Sequence, residues 1–167
     1  YTDDNGGNGL IPGSDYSYRV VASFLDGAES YVSDPACRHL VRDVPIITNV
    51  SVTSTGTGGS IDVKWLMPLA DPLNYDTTLV SNHGPYHIDL MRGTGMTTPT
   101  TLVQTFTSPF FASLNTTSYS DSPLNTQNSP YTYRIDFYDT INASCPAQKA
   151  SSIFLTCSSS DNKIQLS

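Results

Sequence analysis

Two histidines four residues apart are the first candidates for chemistry in this chain. His83 and His87 flank the letters "GPY", and on a helix that spacing would place both imidazoles on one face, where they could bind a metal. The intervening glycine and proline are incompatible with a helix. The pattern therefore predicts two polar side chains at a junction between loop and strand. The third histidine, His39, is expected to lie in a solvated linker.

Two acidic segments could hold calcium, and both are compared with the ligand spacing of a calcium loop. In "DDNGGNG", residues 3–9, the fifth loop position counted from Asp3 is Gly7, and the sole glutamate, Glu29, is far from the twelfth. A turn is the better interpretation there. In "DPLNYD", residues 71–76, calcium ligation remains an alternative to Asx turns, which we favour. We expect no cofactor.

Catalytic constellations are not evident among the many hydroxyl and carboxylate side chains. The chain has no G-x-S-x-G nucleophile elbow. Glycosidase chemistry needs two carboxylates held across a cleft, whereas the aspartates here follow turn patterns or occupy outward strand positions such as Asp62, Asp89 and Asp136. The sequence predicts that this segment is not an enzyme.

The three cysteines, Cys37, Cys145 and Cys157, form no zinc or redox motif, because no C-x-x-C pair and no paired histidine lies near them. One disulfide with a remaining thiol and three buried thiols are both compatible with the sequence. If a disulfide forms, Cys145 with Cys157 is the preferred pair.

The composition favours strands and turns over helices. Serine and threonine together number 42, charged residues make up 14% of the chain, and 14 of the 15 acidic residues are aspartate rather than the helix-favouring glutamate. A hydrophobic content of 38% is enough for a core. The net charge of −7 and the scattered basic residues argue against nucleic acid as a partner.

Period-two alternation predicts several strands separated by turn clusters such as "TGTGGS" and "LNTQNSP". Further strands are predicted over "TTLVQTF", "SPYTYRIDFYD" and "SSIFLTC". Short strands at this spacing, without helical periodicity between them, are typical of an antiparallel sandwich. In three of the strands the inward faces are predicted to be Tyr16, Tyr18, Val20 and Ala22; Ile61, Val63 and Trp65; and Tyr86, Ile88 and Leu90.

An internal repeat indicates how the chain is divided. "YTDDNGGNGLIPGSDYSYRV" near the start resembles "YSDSPLNTQNSPYTYRI" from Tyr119, and "SIDVKW" is echoed by "NKIQLS" near the end. Both offsets are about 100 residues, the length of one sandwich domain. The sequence therefore predicts a cut through a tandem array: residues 1–43 are the last strands of a preceding domain, 44–156 a complete domain, and 157–167 the first strand of a following one.

The stretch "LIPGSDYSYRVVA" has the spacing of a tyrosine corner, in which a tyrosine hydroxyl bonds back to the backbone upstream while a leucine packs beneath. Leu10 and Tyr16 would fill these roles. The stretch resembles the E–F corner and F strand of a fibronectin type III domain. "SIDVKWLMP" is similar to the B strand of that family, with Trp65 in the core. Leu124 and Tyr131 resemble a second corner, but they are seven residues apart rather than six, which leaves open which carbonyl Tyr131 reaches.

The combination of "GPYHIDLMRG", similar to a C strand, with "SSIFLTCSSSDNKIQLS" resembles arrays in large secreted proteins of gliding bacteria, which often precede a gliding motility-associated C-terminal domain. This resemblance implies an extracellular or cell-surface location. It also implies a non-catalytic structural or adhesive spacer, whose partners are the neighbouring domains of the same chain. An accessory domain of a secreted hydrolase is an alternative.

A carbohydrate-binding module is the other alternative, with an extracellular glycan or protein as ligand. Its contacts would come from the long connection over residues 67–83 and from the aromatics Tyr75, Phe110 and Phe111. For Phe110 or Phe111, plugging the open edge of the sandwich is favoured over stacking on a sugar. The unpaired strands at either end of the chain also predict self-association.

Overall fold

In a computed structural model of the protein, the regular elements among the described residues are antiparallel β-strands and two short 3-10 turns. The structure describes residues 2–140, 145–154, 157–160 and 163–166, and within this set the strands at 145–146, 157–160 and 163–166 are described by their backbone. The chain divides into two compact units. The first unit covers Tyr1–Asp43 and the second unit covers Val44–Ser167. Among the described residues no helix is long and apolar enough to cross a membrane.

The second unit contains a sandwich of two sheets. Its strands are β3 Ile46–Ser54, β4 Gly59–Leu66, β5 Tyr86–Thr94, β6 Thr101–Ser108, β7 Ser118–Leu124, β8 Tyr131–Tyr138, β9 Cys145–Pro146 and β10 Ala150–Ser151. One sheet has the strand order β3-β4-β7 and the other β10-β8-β5-β6, with β9 also pairing with β8. This is the A-B-E and G-F-C-C′ arrangement of an immunoglobulin-like sandwich of the fibronectin type III kind.

The core lies between the two sheets and is built from two of the three alternating faces that the sequence predicts. Ile61, Val63 and Trp65 of β4 and Tyr86, Ile88 and Leu90 of β5 are buried. The third predicted face, over residues 16–22 of the first unit, is not buried in the structure. The Trp65 ring lies 5.8 Å from that of Phe106 on β6. Because β4 and β5 belong to opposite sheets, burying these faces against each other is what holds the sandwich together.

The predicted strand "SSIFLTC" is mostly wrong. Of its described residues, Ser151 ends the two-residue strand β10 and Cys157 begins β11, Cys157–Ser160, whereas residues 152–154 lie outside the strands and Ile153 is exposed. The chain leaves the sheet because Ser152 turns inward instead: its amide donates to the Tyr131 carbonyl, and its hydroxyl accepts the Tyr131 amide. One backbone and one side-chain hydrogen bond thus join Ser152 to Tyr131 at this corner.

The first unit is a hairpin of β1, Asp15–Tyr18, and β2, Ala36–His39. The predicted strand "YSYRVVASF" is shorter than expected, because beyond Tyr18 two serine hydroxyls take the place of backbone carbonyls as hydrogen-bond acceptors. The amides of Val20 and Ala22 donate to the hydroxyls of Ser33 and Ser30, at 2.9 and 3.0 Å. His39 is not in a solvated linker as expected, since its Nδ1 lies 2.9 Å from the Asp15 carboxylate on the neighbouring strand.

Near the end of the chain, β11, Cys157–Ser160, pairs with β12, Lys163–Leu166, as a separate two-stranded sheet. The proposed pairing of Cys145 with Cys157 lies outside the described side chains. Cys37 is an exposed free thiol, 3.4 Å from the Ser17 hydroxyl.

Candidate functional site

Two tyrosine hydroxyls bond back to the chain before β1 and β8, and both reach the same kind of group. The Tyr16 hydroxyl accepts a hydrogen bond from the Ile11 amide at 2.6 Å, and the Tyr131 hydroxyl accepts one from the Asn125 amide at 3.1 Å. In each case the donor is the residue directly after the leucine, Leu10 or Leu124. The extra residue of the second loop therefore leaves this bond in place. The expectation that Tyr131 reaches a carbonyl is wrong, because its hydroxyl accepts a hydrogen bond from the Asn125 amide.

We predict that Tyr131→Phe destabilises the second unit by about 1–2 kcal/mol, because the half-buried Asn125 amide loses its acceptor. Tyr16→Phe is the matched control. Its bond is exposed, so water replaces the hydroxyl and the change stays within about 0.5 kcal/mol. Urea unfolding of both variants measures the difference, and equal losses would contradict it.

A buried carboxylate joins the two sheets of the second unit. Asp121 on β7 is 4% exposed, and Arg92 on β5 donates through Nη1 to both of its oxygens, at 2.9 and 2.8 Å. The hydroxyl of Tyr133 on β8 donates to Asp121 Oδ2 at 2.8 Å. Burial and the nearby carboxylate raise the pKa of Tyr133. Asp121 therefore bonds across the core to both central strands of the opposite sheet.

The first unit repeats half of this network. The Tyr18 hydroxyl donates to Asp3 Oδ2 at 2.8 Å, as Tyr133 does to Asp121. Hydrogen bonds from the Asn5 amide and from Tyr18 lower the pKa of Asp3. The repeated motifs Tyr-x-Asp and Tyr-x-Tyr thus form the same arrangement in both units. In each Tyr-x-Tyr motif the first tyrosine forms the corner, and the second donates a hydrogen bond to the aspartate of the Tyr-x-Asp motif.

Sequence reasoning missed Asp3 and Asp121 as network residues, although the recurrence of Tyr-x-Asp was a usable signal. The expectation that Asp136 points outward is also wrong. Its carboxylate is 4% exposed, and Arg134 binds it with two hydrogen bonds of 2.7 Å. The reason is that β8 is a central strand and is buried on both faces.

Tyr75 is not an exposed loop aromatic, contrary to expectation. It is 8% exposed, and its ring stacks on Phe111 and meets Phe137 edge-on, with centroids 5.3 and 5.1 Å away. Its hydroxyl donates to the Asp139 carboxylate at 2.9 Å. The connection that carries Tyr75 folds over the end of the sandwich, so this ring packs in the core and is not available to stack on a sugar.

Phe110 and Phe111 separate in the structure. Phe111 packs against the core, whereas Phe110 is 69% exposed. Phe110 stands on a groove of about 360 Å³ that is also lined by Thr77, His83, Gly84, Tyr86, Pro109 and Phe111. Of the three aromatics considered as ligand contacts, Phe110 is therefore the one presented to solvent.

The described residues include no group of three or more metal-ligating side chains. His87 stacks on Tyr138 with ring centroids 4.3 Å apart. In "DPLNYD", Asp71 Oδ1 accepts the Leu73 amide and Asp76 Oδ1 accepts the Thr78 amide, at 2.8 and 2.9 Å, which are Asx-turn bonds. These carboxylates shape the connection between β4 and β5.

Buried tyrosines make the stability dependent on alkaline pH. Desolvation and the carboxylates of Asp139 and Asp121 raise the pKa values of Tyr75 and Tyr133 above that of an exposed phenol. Above about pH 10 the unfolded tyrosines lose their protons while these two keep theirs, so the native state binds more protons. These two tyrosines should therefore contribute no pH dependence below about pH 10 and should lower the stability as the pH rises beyond it. Urea unfolding at several alkaline pH values tests this, and Tyr75→Phe should reduce the slope.

No family model matches the chain, and no curated protein matches its sequence. Among solved structures the chain is similar to the FN1–FN3 domains of chicken CNTN1, a tandem of fibronectin type III domains, at 13% identity with a TM-score of 0.35. The match covers 86% of this chain and 44% of the other, so this chain spans less than half of that structure.

Proposed function

We propose that this chain is part of a tandem array of sandwich domains that acts as a non-catalytic structural or adhesive spacer. Following the sequence resemblance, we assign the array to a large secreted or cell-surface protein of the gliding-bacterial kind. The neighbouring domains of the same polypeptide are its main partners. An accessory position beside the catalytic domain of a secreted hydrolase fits the same architecture.

One observation carries the proposal: the chain contains two copies of a similar strand, of which one is buried in a sandwich and the other is largely exposed. Tyr133 and Ile135 of β8 are fully buried, whereas their counterparts in the repeat, Tyr18 and Val20, are 36% and 70% exposed. A unit of about this size rarely buries enough surface to fold alone without disulfides, metals or oligomerisation. The first unit therefore has the apolar face of a sandwich strand, but among the described strands no opposite sheet packs on this face. This difference between the two units supports an array of such domains.

A ligand screen separates the spacer from a binding module. Thermal unfolding is followed with glycans, calcium and zinc, since a ligand at about 100 times its Kd stabilises by about 2.7 kcal/mol and shifts Tm by a few degrees. A spacer predicts no saturable shift. A dose-dependent shift with any of these ligands would contradict the non-binding role.

Glycan binding at Phe110 is the second candidate, favoured by the exposed ring beside a groove. Exposed aromatics supply apolar faces that suit stacking on sugars. If a glycan shifts Tm, Phe110→Ala should abolish the shift without lowering the Tm of the free protein. Met96→Ala is the matched control, because Met96 is 70% exposed and is not among the groove residues. Equal losses in both variants would exclude this site.

A further inference from the structure

The network around Asp3 has one partner fewer than its counterpart. Asp121 binds a tyrosine hydroxyl and the guanidinium of Arg92, while Asp3 binds the Tyr18 hydroxyl and a local amide. Arg19 lies nearby, but in the described part of the chain it forms no ion pair with Asp3. The half-buried carboxylate of Asp3 thus lacks the arginine that the fold supplies to Asp121.

The strand arrangement shows from which side that arginine would come. In the second unit β8 lies between β10 and β5, and Tyr133 is opposite Ala150 on one side and Arg92 on the other. In the first unit β1 pairs with β2, which places Tyr18 opposite Ala36. Strand β2 therefore takes the position of β10, and among the described strands none takes the position of β5.

The surface on this side of β1 is an apolar groove with one carboxylate. Its volume is about 920 Å³. An extended peptide could bind there both by adding to the edge of β1 and by filling the groove with alternate side chains. The groove is lined by Asp3, Leu10, Tyr18, Arg19, Val20 and Val21.

We propose that this groove docks an extended strand with the side-chain pattern of β5, apolar-x-apolar-x-arginine, running antiparallel to β1. In β5 the pattern is Ile88, Leu90 and Arg92, which lie opposite Phe137, Ile135 and Tyr133. Transferred through the repeat, the arginine lies opposite Tyr18 and binds Asp3, and the apolar residues lie opposite Val20 and Ala22. This inference rests on the proposed array, in which the strand belongs to the same sandwich as β1.

A second copy of this chain is a poor source of the strand. Strand β5 is hydrogen-bonded to β6 on one side and to β8 on the other, so releasing it would open the core of the second unit. The occupant is therefore a further segment with the β5 pattern in the parent polypeptide. The nine residues of β5 itself provide a probe with the required chemistry.

The test uses the peptide YHIDLMRGT, the β5 sequence, and its Arg92→Gln version, with binding to the chain measured by fluorescence anisotropy. We expect saturable binding of the first peptide and a loss of about tenfold or more for the second, because a partly desolvated ion pair is removed. Asp3→Asn in the chain should cause a similar loss and should erase the difference between the two peptides. Asp4→Asn is the control and should change neither affinity.

Hydrogen exchange locates the bound peptide. Amides of residues 15–22 should gain protection on binding, while those of the second unit should not change. Absence of saturable binding, equal affinity for both peptides, or protection elsewhere in the chain would each overturn the proposal. None of these outcomes bears on the ligand screen, so the docking site can fail while the spacer role stands.

Discussion

Asp121→Ala should destabilise the second unit by about 3–5 kcal/mol, the range observed when one partner of a buried ion pair is removed. The substitution leaves the Arg92 guanidinium without its counter-charge and the Tyr133 hydroxyl without an acceptor inside the core. Urea unfolding followed by circular dichroism measures the loss. The matched control is Asp62→Ala on the neighbouring strand β4, which should stay within about 0.5 kcal/mol.

The same network also predicts how stability is regained. Replacing all three partners together, with Arg92→Met, Asp121→Leu and Tyr133→Phe, should recover most of what the single substitution loses, because no charge then remains buried. A loss below about 1 kcal/mol for Asp121→Ala alone would show that the carboxylate is more hydrated than its 4% exposure indicates.

Trp65→Ala should destabilise the second unit by about 3–5 kcal/mol through the cavity it leaves between the sheets. Trp65 is 2% exposed and packs on Phe106, so the surrounding strands cannot close the space. Because Trp65 is the sole tryptophan, unfolding has to be followed by circular dichroism rather than by tryptophan fluorescence.

Trp65→Phe distinguishes the contribution of side-chain volume to stability from the contribution of the indole N–H at the same position. The indole Nε1 is buried and has no hydrogen-bond partner among the described residues, and an unsatisfied donor is itself destabilising. Phenylalanine removes this donor and keeps most of the apolar contact, so we expect a loss of about 1–2 kcal/mol. A loss as large as that of the alanine variant would mean that the indole N–H is satisfied.

The sandwich and its inward faces could be predicted from the sequence because alternation is a local signal. Apolar residues alternate with polar ones over residues 61–65 of β4 and 86–90 of β5, and these apolar residues are buried in the structure. The tyrosine corners were equally visible, since leucine and tyrosine lie within one loop of each other. In both cases the residues that interact are close in sequence or repeat with a fixed period.

The buried carboxylates and the buried loop tyrosine could not be predicted in this way. Strand β7 reads "SYSDSPL", in which Asp121 is one polar residue among several, and its partner Arg92 lies on another sheet. Tyr75 is buried by Phe111 and Phe137, which are distant in sequence. Only the tertiary fold brings these partners together. The recurrence of Tyr-x-Asp marks Asp121 as a repeated position, but it does not identify the residues that Asp121 binds.

The most direct test of the account compares amide hydrogen exchange in the two copies of the repeated strand. If β8 belongs to a complete sandwich and β1 to an incomplete one, amides of Tyr131–Tyr138 should exchange through global opening of the second unit, and those of residues 15–22 orders of magnitude faster. Equal protection of the two strands would show that the first unit is complete on its own. That result would contradict the tandem array on which the proposed function depends.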